Sequence, residues 1–151
     1  MKIYLDVCCL NRPFDDQSQD RIRLETEAIY AILKKIELGK LELINSDIIL
    51  YEVEKIPDIT RKERINCILF LSRQYIDLDH EIKDRARNIQ SLGIRSYDSL
   101  HIASAESAKV TVFLTTDDQL LKKAKQYASS LKVRVENPLS WIIEVLNHEG
   151  I

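Results

Sequence analysis

Short apolar runs and longer segments of helical periodicity alternate along this chain. Ile3–Leu5 is an apolar run of strand length, and Val110–Leu114 is the run richest in β-branched residues, so both predict buried strands. Between them, apolar residues recur at helical spacing from Asp20 to Leu38, and Gly39 supplies a stop. The pattern therefore predicts strands and helices in alternation.

The remaining segments continue this alternation. Further strands are predicted at 41–44 and 133–135, with a short extended piece at 75–78. The other predicted helices begin near a capping residue and end near a glycine or proline; they run from Ser46 to before Pro57, from Thr60 to about Tyr75, up to Leu92 before Gly93, from Ser96, from Asp117 to Tyr127, and from Pro138. The segment 11–16 contains Pro13 and is predicted to be a turn-rich loop.

Strands that alternate with helices predict an α/β protein with a mostly parallel sheet whose faces are covered by helices. The chain has 151 residues, and no repeat, linker or low-complexity segment divides it. We therefore expect one domain over residues 1–151.

Composition and charge narrow the class of protein. Hydrophobic residues make up 45% of the chain and charged residues 30%, which is typical of a globular protein rather than a disordered one. The net charge of −2 and the pI of 5.9 are unlike those of a protein that binds nucleic acid by covering its phosphates with basic side chains. If the chain acts on nucleic acid, a local basic rim or a metal must provide the attraction.

Neither a membrane segment nor disulfides are expected. The first apolar run is too short for a signal peptide, and no stretch approaches the roughly 18 apolar residues of a membrane span. Cys8 and Cys9 are adjacent and Cys67 is distant, which is not the spacing of a disulfide framework. The adjacent pair is expected to fill the core, and a reducing cytoplasm is the expected compartment.

Four acidic residues lie near the ends of predicted elements. Asp6 follows the first strand and Asp117 follows the strand at 110–114. Glu52 and Asp98 lie early in their helices. Because ligands bind beyond the carboxyl ends of parallel strands, we expect these side chains to share one cleft. From spacing alone, each acid taken singly is more often a helix-end or solvated residue than part of a site.

Carboxylates that share a cleft repel each other. At ~4 Å each pair costs about 4 kcal/mol at an effective dielectric of about 20, so a cation or a retained proton must relieve the repulsion. Oxygen ligands without a cysteine–histidine cage select Mg²⁺ or Mn²⁺. Such a metal activates a water and stabilises charge on phosphorus oxygens, so phosphodiester hydrolysis is the predicted chemistry.

Four segments, taken in order, resemble the motifs of the PIN-domain family. They are Ile3–Asp6, Ser46–Val53, Tyr97–Ala105 and Leu114–Leu120, of which the last two are the most specific. The resemblance implies a three-layer α/β/α fold with a mostly parallel sheet of about four to five strands. It also implies a Mg²⁺ or Mn²⁺ site and cleavage of single-stranded RNA. Many members are toxins of the VapC type, which a cognate antitoxin holds inactive.

The resemblance assigns a role to each acid. Asp6 and Asp98 would ligate the metal, and Asp117 would complete the shell directly or through a water. Glu52 would contact the metal indirectly or help to activate the attacking water.

A hydroxyl residue completes the fourth motif. Thr115 matches the small residue that precedes the last acid, where it would orient a carboxylate or contact phosphate. Asp117 is a better match to that acid than Asp118, because the threonine then stands two residues before it.

Two segments depart from the family pattern. Val7-Cys8 follows Asp6 where many relatives carry Thr-Ser, so a thiol, which is a weaker hydrogen-bond partner, replaces a hydroxyl. The segment 11–14 is also unlike that of many toxins, so we expect an atypical subgroup. An RNA substrate and a homodimer are expected, and an antitoxin partner is left open.

Some residues allow two interpretations. Arg12 is a candidate phosphate contact, and pairing with Asp15 or Asp16 is an equal alternative. His101 either ligates a metal or lies beside the ligands or in the core, and the supply of carboxylate oxygens favours the latter. The basic runs at 61–64 and 122–125 either steer RNA or form solvated helix faces, as such runs more often do.

Two classes of function follow. The first is a metal-dependent endoribonuclease, and the second is a PIN-like binding module that lacks catalysis and acts through a protein or RNA partner. The presence of all four acids favours the nuclease. A nuclease for branched DNA is disfavoured because the short chain leaves no room for a clamp, and a phosphotransfer receiver is disfavoured by the order of its acids.

Overall fold

Five parallel strands form one central sheet in the computed structural model, which describes residues 1–149. The strands are β1 Lys2–Leu5, β2 Glu42–Ser46, β3 Gln74–Ile76, β4 Val112–Leu114 and β5 Val135–Glu136. Their order across the sheet is β3-β2-β1-β4-β5, and each neighbouring pair is parallel. The predicted parallel sheet is confirmed.

Helices connect the strands and cover both faces of the sheet. They are α1 Val7–Asn11, α2 Asp20–Glu37, α3 Asp47–Glu54, α4 Ile59–Leu69, α5 His80–Gln90, α6 Ser96–Ser107, α7 Asp118–Gln126 and α8 Pro138–His148. α2 packs against α8, and α5 packs against α6. The architecture is the three-layer α/β/α fold that the resemblance implied. Within residues 1–149, no helix is long and apolar enough to cross a bilayer.

The order of the strands creates a switch point at the centre of the sheet. The chain adds β2 and β3 on one side of β1 and then returns to place β4 on the other side. The connections that leave β1 and β4 therefore diverge, which opens a crevice at the carboxyl ends of these two strands. Leu5 pairs with Leu114 in the register of β1 and β4, so the residues that follow both strands emerge side by side.

The central strands are buried on both faces. Ile3, Tyr4 and Leu5 in β1 and Phe113 in β4 are fully buried, as expected for continuous apolar runs in a parallel sheet. The rings of Tyr4 and Phe113 stack with their centroids 5.2 Å apart. The two strands that end at the crevice, β1 and β4, therefore lie in the fully buried centre of the core.

The segment predicted to be a turn-rich loop is helical. Residues 7–11 form α1, and Arg12–Phe14 form a 3₁₀ turn. Asp6 caps α1, since its Oδ1 accepts the Val7 N–H at 2.8 Å. Pro13 is tolerated because it lies in the first turn of the 3₁₀ helix, where its missing N–H has no helical partner.

Other boundaries also differ from the sequence pattern. The helix predicted to begin at Thr60 ends at Leu69, because the chain must extend to pair β3 with β2. Ser96 is not a cap: Arg95 takes the cap position with an extended backbone and makes no side-chain capping bond. The last two strands are shorter than their apolar runs. Ser46, in contrast, caps α3 as predicted, because its Oγ accepts the Ile49 N–H.

Replacing Phe113 by alanine is expected to lower the free energy of unfolding by about 3–5 kcal/mol, because the change leaves a cavity beneath Tyr4. Phe70 is 92% exposed, so Phe70→Ala is the matched control and should change stability by less than about 0.5 kcal/mol. Urea unfolding of both variants measures the difference. Equal effects from the two substitutions would contradict this account of the core.

Candidate active site

One cleft beyond the carboxyl ends of β1 and β4 contains all four predicted acids. Its volume is about 470 Å³. It is lined by Asp6, Val7, Cys8, Asn11, Glu52, Arg95, Ser96, Tyr97, Asp98 and Asp117. The four acids come from segments far apart in the sequence, so the fold brings them to one place.

Asp6 and Asp117 are linked through Thr115. The Thr115 Oγ1 donates to Asp6 Oδ2 at 2.8 Å and accepts the backbone N–H of Asp117 at 3.1 Å. Thr115 is fully buried, so this hydroxyl fixes the carboxylate rather than meeting solvent. Of the two roles that the motif implied for Thr115, the contacts match the orientation of a carboxylate.

Cys8 borders the cleft instead of filling the core. Its Sγ lies 3.4 Å from Asp6 Oδ2 and 3.4 Å from Thr115 Oγ1. Cys9 is fully buried as expected, and burial raises the pKa of its thiol well above the usual range. All three cysteines are free. The thiol of Cys8 therefore stands beside Asp6, where many relatives carry a hydroxyl.

Asp98 lies in surroundings that disfavour its charged form. Burial, and then the negative charge of Asp6, raise its pKa to about 6, while Arg95 acts in the opposite direction. The Nε of Arg95 lies 3.5 Å from Asp98 Oδ2. A carboxyl whose charged form is disfavoured by neighbouring carboxylates is one that a cation would stabilise.

Arg95 is the cleft residue that the sequence analysis missed. Its Nη2 donates to Asp117 Oδ2 at 2.6 Å, so one guanidinium contacts both Asp98 and Asp117. The Asp117 Oδ1 meanwhile caps α7 by accepting the N–H of Gln119 at 2.9 Å. The sequence did hold a signal for Arg95, since this residue stands three positions before the acid of the most specific motif.

Glu52 is held by a hydrogen-bonded chain that begins in the core. The His101 Nε2 lies 2.6 Å from Glu52 Oε1, and its Nδ1 lies 2.7 Å from the hydroxyl of Tyr4. That hydroxyl lies 2.7 Å from Ser46 Oγ. Because a carboxylate only accepts, His101 donates from Nε2 to Glu52, while its Nδ1 is paired with the Tyr4 hydroxyl.

His101 therefore orients a carboxylate instead of presenting a nitrogen to a metal. It is fully buried, and both ring nitrogens have protein partners. The sequence analysis favoured this kind of role over metal ligation. The participation of Tyr4 was not foreseen, because an aromatic residue inside an apolar strand shows no sign that its hydroxyl reaches a functional residue.

The carboxylates in the cleft supply hard oxygen donors, which suit Mg²⁺ or Mn²⁺, although the softer Cys8 thiol also lies at the cleft. Asn11 adds an amide oxygen: its Oδ1 is buried and has no hydrogen-bond partner in the described part of the chain. Within residues 1–149, no group of three or more acidic, histidine or cysteine side chains is already arranged around one metal position. Mg²⁺ needs one or two carboxylates, with waters and substrate phosphate completing its shell, so the donor set fits.

Two of the predicted residues lie outside the cleft. Arg12 pairs with Glu25 at 2.7 Å and with Asp15 at 3.2 Å, so the pairing interpretation describes it, although the buried partner Glu25 was not anticipated. Asp118 is bound by Arg21 at 2.6 Å and is largely exposed. Neither residue lines the cleft, whereas Asp117 does.

One of the basic runs lies close to the cleft. Lys122 and Lys123 line a second cavity of about 380 Å³, to which Arg95 and Asp98 also contribute. Positive side chains therefore flank the acidic cleft on the α7 side, in a protein whose net charge is −2.

The fold and the cleft together define a class: a three-layer α/β/α protein with carboxylates at the switch point of a parallel sheet. The chain belongs to the PIN-domain family, whose model matches residues 3–126. A search among curated proteins gives no significant match.

Several solved structures share the fold. VapBC2 from Rickettsia felis, bound to a DNA fragment from its promoter, superposes with a TM-score of 0.56 at 17% identity, covering 91% of this chain and 98% of that one. PAE2754 from Pyrobaculum aerophilum gives a TM-score of 0.56 at 16% identity, covering 98% and 90%. DNA-bound VapBC from Salmonella typhimurium gives 0.48 at 20% identity, covering 91% and 98%.

Replacing Asp98 by asparagine is expected to stabilise the protein in EDTA-containing buffer, by an amount that depends on pH. The pKa of Asp98 is raised from 3.8 to about 6 in the folded state. Its protonated form therefore favours folding below about pH 4, and this contribution is lost as pH rises through the folded pKa. The melting temperature of the variant minus that of the wild type should rise from about pH 4 to about pH 6 and then level off.

Asp118→Asn serves as the control of opposite sign. Arg21 lowers the pKa of Asp118, so that carboxylate stabilises the fold above its unfolded pKa and loses this effect as pH falls. The melting temperature of this variant should fall below that of the wild type as pH rises. A pH-independent difference for Asp98→Asn would show that neither burial nor the charge of Asp6 raises the pKa of this carboxyl.

Replacing Tyr4 by phenylalanine is expected to lower the free energy of unfolding by about 1–3 kcal/mol, because His101 Nδ1 then remains buried without its partner. Tyr30→Phe is the matched control, since Tyr30 is 56% exposed. Urea unfolding measures both variants. No loss in Tyr4→Phe would mean that the buried chain does not hold His101.

Proposed function

We propose that this chain is an endoribonuclease that hydrolyses RNA phosphodiester bonds with a carboxylate-bound Mg²⁺ or Mn²⁺. The observation that carries the proposal is the meeting of Asp6, Glu52, Asp98 and Asp117 in one cleft at the switch point of the sheet. The PIN-domain family supports the assignment to nucleases. The raised pKa of Asp98 supports a cleft that accepts a cation.

Asp6 and Asp98 would hold the metal, with Asp117 contributing directly or through a water. When bound, the metal supplies Lewis-acid activation of water and of the scissile phosphate. Thr115 and the backbone N–H of Val7 fix the Asp6 carboxylate, so that it needs little reorganisation. Asp117 must exchange its contact with Arg95 to take part.

Glu52 would accept a proton from the attacking water. Its side chain is 25% exposed at the cleft, and His101 holds one of its two carboxylate oxygens. A base that is oriented by a buried partner keeps its reacting oxygen in a defined position, which general base catalysis requires.

Arg95 takes the place that the sequence analysis gave to Arg12 as the phosphate contact. Its side chain is 64% exposed, so it can turn from the two aspartates toward a substrate phosphate. A guanidinium binds phosphate with two parallel hydrogen bonds. The exchange would leave Asp98 and Asp117 free for the cation.

The purified protein is expected to cleave single-stranded RNA in Mn²⁺ and to stop in EDTA. Asp6→Asn and Asp98→Asn should each lower the cleavage rate by about 100-fold or more, because each removes a carboxylate that would hold the metal on which the stabilisation of the transition state depends. Cleavage of a labelled RNA pool on denaturing gels measures the rates.

The control for this assay is Asp84→Asn. Asp84 is 66% exposed, pairs with Arg87 and does not line the cleft, so the variant should cleave RNA at the rate of the wild type. RNA cleavage that persists in EDTA, or in Asp6→Asn and Asp98→Asn together, would rule out the metal-dependent mechanism.

A PIN-like binding module without catalysis is the second candidate, and the measured response to metal separates the two. In the nuclease, Mn²⁺ should raise the melting temperature, since a ligand that binds the folded state stabilises it, and Asp98→Asn should abolish the shift. A binding module that has lost its metal site would show no shift in either protein.

A protein partner forms a further part of the proposal. VapBC2 from Rickettsia felis is a complex solved on promoter DNA, and its fold is similar to that of this chain. We propose that a small antitoxin binds this chain and blocks the cleft, and that the chain forms a homodimer. Sequencing of the adjoining genes for a small reading frame, co-expression with its product and size-exclusion chromatography test both assignments.

A further inference from the structure

Tyr97 lines the cleft and Tyr51 packs against it, so α3 and α6 carry an exposed pair of aromatic side chains at the edge of the cleft. Tyr51 precedes Glu52 on α3, and Tyr97 precedes Asp98 on α6. Their exposed fractions are 49% and 43%. The two rings meet edge to face with their centroids 5.7 Å apart. Two helices thus present one aromatic surface directly beside two of the acids.

A positive charge lies on the same surface. The Lys55 Nζ lies 4.2 Å from the centroid of the Tyr51 ring and 5.6 Å from that of Tyr97. It also lies 3.4 Å from the Tyr97 hydroxyl. Contact with Lys55 lowers the pKa of the Tyr51 hydroxyl, which shows how closely the charge faces the ring pair.

Packing of the core does not explain why the rings of Tyr51 and Tyr97 are exposed. Tyr4 shows how a structural tyrosine is used here, since its ring is fully buried and its hydroxyl joins Ser46 and His101. The rings of Tyr51 and Tyr97 are instead left half open to solvent at the edge of a cleft. Adjacent exposed rings of this kind mark an interaction site.

The combination of features favours single-stranded nucleic acid as the occupant. Aromatic rings provide stacking faces for unpaired bases, and basic side chains follow the phosphate backbone. Lys55 on one side of the acidic cleft and Lys122 on the other supply positive charge along the path of a strand. An apolar protein segment would gain from the rings but not from these ammonium groups.

We propose that Tyr51, Tyr97 and Lys55 form a nucleobase-binding subsite, the aromatic rim, on which a base next to the scissile phosphate stacks while Lys55 contacts the backbone. This assignment rests on the proposed function, because a strand must cross the carboxylate cleft to reach the rim. Stacking accepts any base but requires a free face, so the rim selects unpaired RNA over a duplex.

Binding of a fluorescein-labelled oligouridine, read by fluorescence anisotropy in EDTA so that no hydrolysis intervenes, tests the aromatic rim. Tyr51→Leu and Tyr97→Leu should each weaken binding by about 5-fold or more, because each removes a stacking face. Tyr51→Phe and Tyr97→Phe keep the rings and should bind like the wild type. Tyr30→Leu, which removes an exposed tyrosine from α2, is the matched control and should also have no effect.

Two further arms identify the contact and the type of substrate. A 5-iodouridine oligonucleotide, irradiated with the wild type and digested, should cross-link to Tyr51 or Tyr97. A labelled RNA duplex should bind equally to the wild type and the leucine variants, because its base faces are covered. Weaker duplex binding by the leucine variants would mean that the tyrosines act through the phosphate backbone, and would overturn stacking.

The outcomes separate the aromatic rim from the nuclease proposal. If the leucine variants bind oligouridine like the wild type, the rim is not a base-binding site, while metal-dependent cleavage by the wild type would still establish the nuclease. If the wild type neither binds nor cross-links oligouridine, the rim is overturned, and the cleavage assay decides the nuclease on its own evidence.

Discussion

The parallel pairing of β1 with β4 is the constraint on which the site depends. The two strands are distant in sequence, yet their register places Leu5 beside Leu114, so the residues that follow them emerge together. The short Thr115–Asp6 hydrogen bond is a direct result of this pairing. The buried stacking of Tyr4 on Phe113 stabilises the strands in this register. The core thus determines the positions of the catalytic candidates.

The pairing of β1 with β4 brings several carboxylates together. The exposed side chain of Arg95 balances part of their negative charge. Arg95 contacts both Asp98 and Asp117, and its side chain is mostly exposed. A fixed, buried arginine would neutralise the cleft permanently and compete with a metal. An exposed arginine allows the protein to fold with its acidic cluster in the absence of metal. It can then leave the carboxylates when a cation binds to them, and contact a phosphate instead.

Much of the fold followed from pattern alone, because strands and helices with continuous or periodic apolar positions leave few arrangements. The order of elements, the parallel sheet and the positions of Asp6 and Asp117 at strand ends were all predictable for that reason. The segment 11–16 was not, since the cap that Asp6 gives to α1 is a side-chain contact that overrides the weak turn propensity.

The residues of the candidate site were easier to predict from the sequence than the contacts between them. Motif resemblance named the four acids, and the structure places them in one cleft. Arg95 was missed although it stands three positions before Asp98 in the sequence. The hydroxyl of Tyr4 was missed because its importance comes from tertiary neighbours that no local pattern encodes. The buried partner of Arg12 was missed for the same reason, since Glu25 lies in the middle of a helix whose sequence gives no sign of its burial.

The network around Glu25 has a consequence for where the domain ends. This carboxylate is only 1% exposed, and besides Arg12 it accepts a hydrogen bond at 2.6 Å from Asn137, the residue that caps α8. The family match stops at residue 126, before that cap. A version of the protein trimmed to the matched region would open a buried carboxylate to water on the α2 side. The burial of Glu25 therefore depends on a residue at the start of the C-terminal helix, which lies beyond the residues that the family model matches.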